Sequence, residues 1–482
     1  MGRRILLAIA LFAIFTPSIA AVLCTWTGAG TDGNWSTAAN WNNCGGAHAL
    51  PVDGDNLVFP SGAQHLVNNN DLVKLHVTNL QLNGLNYDIS GNPIALALGI
   101  NSATPGAAGG DLPPIFAPNI SLETNSQTFG CSSGAGFTLT GVISLHGLGL
   151  TSNANCAIDI NGNITGAGTL TKLGSHNLSL GGLASTYTGP TTIDSGLILA
   201  LADNALGATG LGNETIVHDG GTLFLDGGVA IGEDLNLAGA GFVFPGFFFG
   251  ALLGGTGIVN GDITLSADTM ISTVDQDSDL TLAGNIDGNF ELTMQGDGTV
   301  HWLGVGQTPS TNVAAGTLEL AGSTLAVLVA NSGTLSGEGT CTDATIDPTG
   351  TLAPGPLATS RPGTLTMANL TWTAGAAFAF QLGSTSAASD QAAVKGNLSS
   401  SSTGAFQFQF SDAASPPVPG VAYTVISFSQ LTGFSLSDFS FLYTGTGPGS
   451  SMTGSFALTA TALQFTPSTV VSDLVFRADL GG

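Results

Sequence analysis

Apolar and polar residues alternate along this chain in short runs. Leu72-Val-Lys-Leu-His-Val77, Leu80-Gln-Leu82, Ile94-Ala-Leu-Ala-Leu98 and Asn177-Leu-Ser-Leu180 all do so. A period of two puts every second side chain on one face, as in a strand with one buried side. Between Gly166 and Gly207, regularly spaced glycines separate such runs, which predicts stacked short strands joined by tight turns. Long-chain helix formers are scarce, so almost no helix is expected. Ala103–Pro118, rich in Pro, Gly and Ala, reads as a loop bulging from the stack.

The runs also recur at long range. Ile158-Asp-Ile-Asn-Gly-Asn-Ile164 is echoed by Leu280-Thr-Leu-Ala-Gly-Asn-Ile286, and Gly166, Leu170, Gly174 and Leu178 by Gly288, Leu292, Gly296 and Val300. The best unit covers 158–207 and a degraded one 280–320. Short strands that recur without helices between them predict a right-handed parallel β-solenoid, or β-helix. A single coil cannot bury its inward residues; stacking coils supplies the core. Coils of ~20–25 residues over some 300 residues give on the order of 12–15 coils, a stack roughly 60–70 Å long.

The stretch from Gly166 to Gly207 resembles the autotransporter-associated beta-strand repeat, also called the passenger-associated transport repeat. The residues that carry the resemblance are Gly166, Gly168, Lys172, Gly174, Tyr187, Gly189, Ile193 and Gly196. It implies a secreted or surface-displayed passenger, with Lys172 serving the coil. Ala353-Pro-Gly, Pro362-Gly-Thr-Leu-Thr and Ser389-Asp-Gln-Ala-Ala-Val-Lys-Gly396 resemble the closing part of such passengers. The family continues into a membrane barrel of roughly a dozen strands. Here about 80 residues follow Gly396, so the expectation is a passenger-like chain without the barrel.

The expected organisation is a signal peptide over 1–20, a Trp-rich cap over 21–65, the solenoid over 66–360 and a C-terminal β region over 361–482. Arg3-Arg4, the apolar run Ile5–Phe15 and Ser18-Ile19-Ala20 supply the signal, which implies secretion or cell-surface localisation. Cys24 follows Leu23, where a lipoprotein signal needs a small residue, so lipidation is not expected. Trp26, Trp35 and Trp41 lie within 16 residues. They suit a plug for the open end of a stack better than a sugar-stacking platform. Sequence proximity favours disulfides Cys24–Cys44 and Cys131–Cys156, leaving Cys341. Ala238–Val259 is uncharged and long enough to span a membrane, but its glycines and Pro245 argue for buried strands and a glycine turn.

Composition narrows the partners. The chain has 482 residues with 70 Gly, 8% charged residues and a net charge of −25; its acids are 26 Asp and 6 Glu. Asp is a turn residue, whereas Glu is a helix former. A field of this sign repels nucleic acid and anionic membrane surface. The expected partners are instead a host or neighbouring cell surface, extracellular matrix or polysaccharide.

The chemical motifs are thin. Gly28-Ala-Gly-Thr-Asp-Gly33 matches a dinucleotide fingerprint by letters, but a disulfide-bounded Asn-Trp-Ser follows rather than a helix. Gly130-Cys-Ser-Ser-Gly134 matches a nucleophile elbow without the strand-to-helix turn. The seven histidines share no metal-ligand spacing. Asp275, Asp277 and Asp279 alternate, which would put three carboxylates on one strand face and suit Ca2+. No catalytic residue and no other cofactor are expected. The function read from the chain is non-catalytic, structural or adhesin-like. The alternative is a polysaccharide hydrolase or lyase on the same scaffold, with the same three aspartates as its candidate site.

Overall fold

The computed structural model describes residues 22–44, 49–107, 109–244, 247–357, 359, 361–445 and 451–471. The expected signal at 1–20 lies outside them. The chain is all-β, with 52% strand and 2% helix. Helix among the described residues is confined to three-residue 3-10 turns at Ala38–Asn40, Ser386–Ala388 and Leu436–Asp438.

Pairing is parallel through most of the chain. One column of residues lies in register across successive strands: Phe137, Ile158, Leu178, Ile198, Leu223, Leu252 and Ile271. It continues through Met294, Val313, Val329 and Ile346 to Trp372. Every member is buried. A second sheet carries its own column, Leu280, Val300, Leu318, Leu335, Leu352, Phe378 and Phe408. These are the inward positions of the period-two runs, so the alternation in the sequence is the alternation of the pleat. Burying one such side chain contributes roughly 1.5–3 kcal/mol. No strand of three to five residues could do so without its neighbours above and below.

Asp and Asn fix the register at the turns. The Asp234 carboxylate accepts the Asp262 N–H at 3.0 Å, the Asp262 carboxylate accepts the Asn285 N–H at 2.8 Å, and the Asn285 side-chain oxygen accepts the Val305 N–H at 3.0 Å. Asp203 accepts from Ala230, Asp226 from Thr256 and Asp268 from Glu291 in the same manner. A short side chain reaches the amide one strand on, and a Glu would overshoot it. This gives the excess of Asp over Glu a structural cause.

Aromatic residues fill both ends. Trp26, Trp35, Trp41, Phe59 and Tyr87 are buried together, with ring centroids 5.0–6.1 Å apart. Disulfides join Cys24 to Cys44 and Cys131 to Cys156, and Cys341 is free and buried. At the other end Trp372 stacks on Phe378 at 3.5 Å, and Phe406, Phe408 and Phe410 pack beyond it. Parallel pairing passes position 360, because Thr340–Ile346 pairs with Thr364–Trp372. The ladder closes on an antiparallel hairpin of Ser451–Leu458 and Ala462–Val471.

The expectation of buried strands across Ala238–Val259 needs correction. Leu252–Gly254 is buried in the ladder, but Val243-Phe244 and Phe247-Phe248 form a small antiparallel hairpin on the outside. All four side chains are exposed. The segment between Gly239 and Leu252 holds more residues than a turn can use, so the surplus leaves the stack. Phe242 and Phe249 stack at its base with centroids 6.0 Å apart. Among the described residues no helix is long and apolar enough to cross a membrane.

Candidate functional site

The tryptophans of the N-terminal segment do not present a binding face. Trp26 and Trp35 are fully buried and Trp41 nearly so. Their ring nitrogens are spent inside: Trp35 Nε1 donates to Asn68 Oδ1 at 2.8 Å and Trp41 Nε1 to the Trp35 carbonyl at 2.8 Å. These three tryptophans offer a sugar ring no face to stack on.

The residues that carry the repeat resemblance have structural work inside the stack. Lys172 faces inward from the strand Leu170–Leu173 and is fully buried. Its Nζ donates to the carbonyls of Leu173, Gly174 and Ser195 at 2.8, 3.0 and 3.3 Å. Burial pulls its pKa down to about 8. Among the described residues no carboxylate pairs with it; it ties one turn to the next. Gly174 and Gly196 make room for that arrangement. Both have positive φ, and a Cβ on Gly196 would meet Lys172 Nζ at 2.7 Å. Tyr187 is buried, and its hydroxyl bonds Thr191 Oγ1. Gly166, Gly168 and Gly189 also take positive φ at turns, and Ile193 is a core residue.

The three spaced aspartates are not brought to one point. Asp275 and Asp277 lie in the turn before the strand Asp279–Leu282. Asp275 Oδ1 accepts the Asp277 N–H and the Ser278 hydroxyl, both at 3.0 Å, which is a turn-closing pattern. Asp279 turns away to His301, with Oδ1 at 3.0 Å from Nε2. The strict alternation expected over 275–279 fails because only the last of the three is in a strand. Among the described residues no group of three or more His, Cys, Asp or Glu could hold a metal ion.

His301 is a feature the histidine spacing did not reveal. It stands in register with Thr281 on one side and Glu319 on the other. Its Nδ1 lies 3.5 Å from Glu319 Oε1. The Glu319 hydrogen bond and the two negative charges raise its pKa, and its own hydrogen bond lowers that of Glu319. A carboxylate thus faces each ring nitrogen, and both favour the protonated form of the ring. Arg361 and Glu338 pair nearby at 2.7 Å. Asp279, His301 and Glu319 come from three neighbouring strands of the second sheet, whereas Glu338 and Arg361 lie outside its strands.

Two buried acids were also not legible. Glu233 is 1% exposed, and its Oε2 has no hydrogen-bond partner; burial raises its pKa to about 7. Asp390 is 2% exposed and raised to about 7 by burial, but both its oxygens accept backbone N–H groups, from Gly363 at 2.8 Å and Gln381 at 2.7 Å. Asp390 therefore locks a turn. Burial pushes the Cys341 thiol up to about 12, which leaves it inert. The letter matches fail in context: Gly130–Ser133 lies within the strand Gln127–Ser133, with Cys131 in a disulfide, and Gly28–Gly33 is followed by a single 3-10 turn. No family model matches the chain, and no curated protein matches it in sequence.

Proposed function

We propose that this chain is a secreted or surface-displayed right-handed β-solenoid, similar to an autotransporter passenger, with a structural or adhesive role and no catalytic turnover. The observation that carries the reading is the in-register apolar column from Phe137 to Trp372. It gives each short strand the same partner geometry as the next, which is how a coil stack buries its core. The disposition of the polar groups supports the same reading. Lys172 and Asp390 are spent on backbone groups, His301 on two carboxylates, and the turn aspartates on the amides of the following strand. Groups so engaged hold a fold and are not free to transfer protons. The aromatic ends act as plugs that keep the open edges of the stack from pairing with other chains. The partner is then a neighbouring surface, matrix or polysaccharide held along the rod.

The test is to incubate the purified protein with a panel of polysaccharides and count chain ends released over time. No release from any member is expected. Time-dependent release from one class would overturn the reading and make the enzyme alternative the working account.

A further inference from the structure

The outward hairpin covers a stripe of apolar residues on the side of the stack. Leu199, Phe224 and Leu253 are in register on successive strands, and Leu197 lies beside them. Together with Phe247 and Phe248 they line a half-open cavity of about 350 Å³. That is in the range of small-molecule sites, roughly 300–1,000 Å³. Such a stripe on the solvent side of a half-buried sheet departs from the alternation seen elsewhere. Outward positions are otherwise mostly Thr, Ser, Asn and Asp.

Phe224 and Val274 form a shared wall between this cavity and a second recess of about 210 Å³. The second recess is acidic. Asp226, Asp275 and Asp277 line it with Thr256 and Ser278, and no lining residue of either space is basic. Apolar cavity and negative recess thus lie side by side, with Phe224 and Val274 lining both.

We propose that this pair of spaces is a binding site for an amphiphilic cation, an alkylammonium whose hydrocarbon chain lies against Leu199, Phe224 and Phe248 while its charged head rests among Asp226, Asp275 and Asp277. Charge selects this occupant over the other candidates for an apolar groove. A second copy of the chain would bring a net charge of −25 against the same aspartates, and an anionic bilayer would be repelled likewise. A neutral lipid would leave the acidic recess without a counterpart. The proposal goes beyond the structural reading above and does not depend on it, because a polysaccharide assay does not report on this groove.

The experiment is calorimetric titration of the full chain with dodecyltrimethylammonium below its micelle concentration, beside dodecyl sulfate and tetramethylammonium, at physiological salt. One saturable site for dodecyltrimethylammonium is expected. Dodecyl sulfate should bind at least about tenfold more weakly, and tetramethylammonium should give no measurable heat. Asp277→Asn should weaken binding roughly fivefold, the size of one charge contact near 4 Å in water. Phe248→Ser should weaken it about tenfold or more through lost apolar contact. Phe248 is already exposed, so its loss leaves the core intact, and the melting temperature checks this. Phe244→Ser, on the same hairpin but off the cavity wall, should bind as wild type. Equal affinity for dodecyl sulfate, unsaturable uptake, or undiminished binding by Phe248→Ser would each overturn the proposal.

Discussion

Glu233 shows how a single buried residue can contribute to the response of this fold to pH. Its carboxyl sits in the interior near Tyr187, with one oxygen unpartnered. Burial raises its folded-state pKa to about 7 from 4.5. The folded state therefore binds this proton more tightly than the unfolded chain does. The sign follows: its contribution to stability is fully present below pH 4.5 and is lost as pH rises through about 7. The full difference is about 3 kcal/mol by linkage. Thermal melts of wild type and Glu233→Gln between pH 4 and 8 should show the variant gaining on wild type across that window. Parallel curves would refute the assignment. Nothing in the sequence marks Glu233, because a buried acid and a turn acid read alike when flanked by Gly232 and Asp234. The resemblance implied that Lys172 serves the coil; its three carbonyl partners were not legible in the sequence.

At the scale of the element, the turn decides whether a strand finds its register. Gly174 has φ of 80°, and a Cβ there would lie 2.4 Å from the Ala154 carbonyl oxygen on the neighbouring strand. Gly174→Ala combines left-handed backbone strain with a backbone clash, and should cost about 3 kcal/mol or more by equilibrium unfolding. Asp262→Ala removes only the acceptor for the Asn285 N–H at an exposed turn and should cost about 1 kcal/mol, with Asp262→Asn milder. Alternation and glycine spacing made such strands and turns readable in advance. They did not reveal the outward hairpin at Val243–Phe248. Its residues are as apolar as a core strand, and only the count of residues between two paired strands expels them from the stack. The aspartates at 275–279 failed for a related reason: spacing by two defines a face only inside a strand, and the strand begins at Asp279.

For the whole molecule, the account rests on neighbours that are distant in sequence being adjacent in space. Asp159 stands opposite Ser179, then Leu199, Phe224, Leu253, Ser272 and Gln295, six parallel steps in one ladder. Parallel strands lie about 4.8 Å apart, so the two ends of this series should be roughly 29 Å apart. All-β character and parallel pairing of short strands were legible from composition and period. The identity of each partner was not, because the spacing between paired residues varies along the chain. Leu170 follows its partner Leu150 by twenty residues, whereas Ile263 follows Leu235 by twenty-eight. The most direct measurement is the distance between spin labels placed at Asp159 and Gln295, read by pulsed electron resonance. A narrow distribution centred near ~30 Å is the predicted result. A broad distribution, or a mean beyond about 45 Å, would contradict the parallel ladder and the stacked-coil fold built on it.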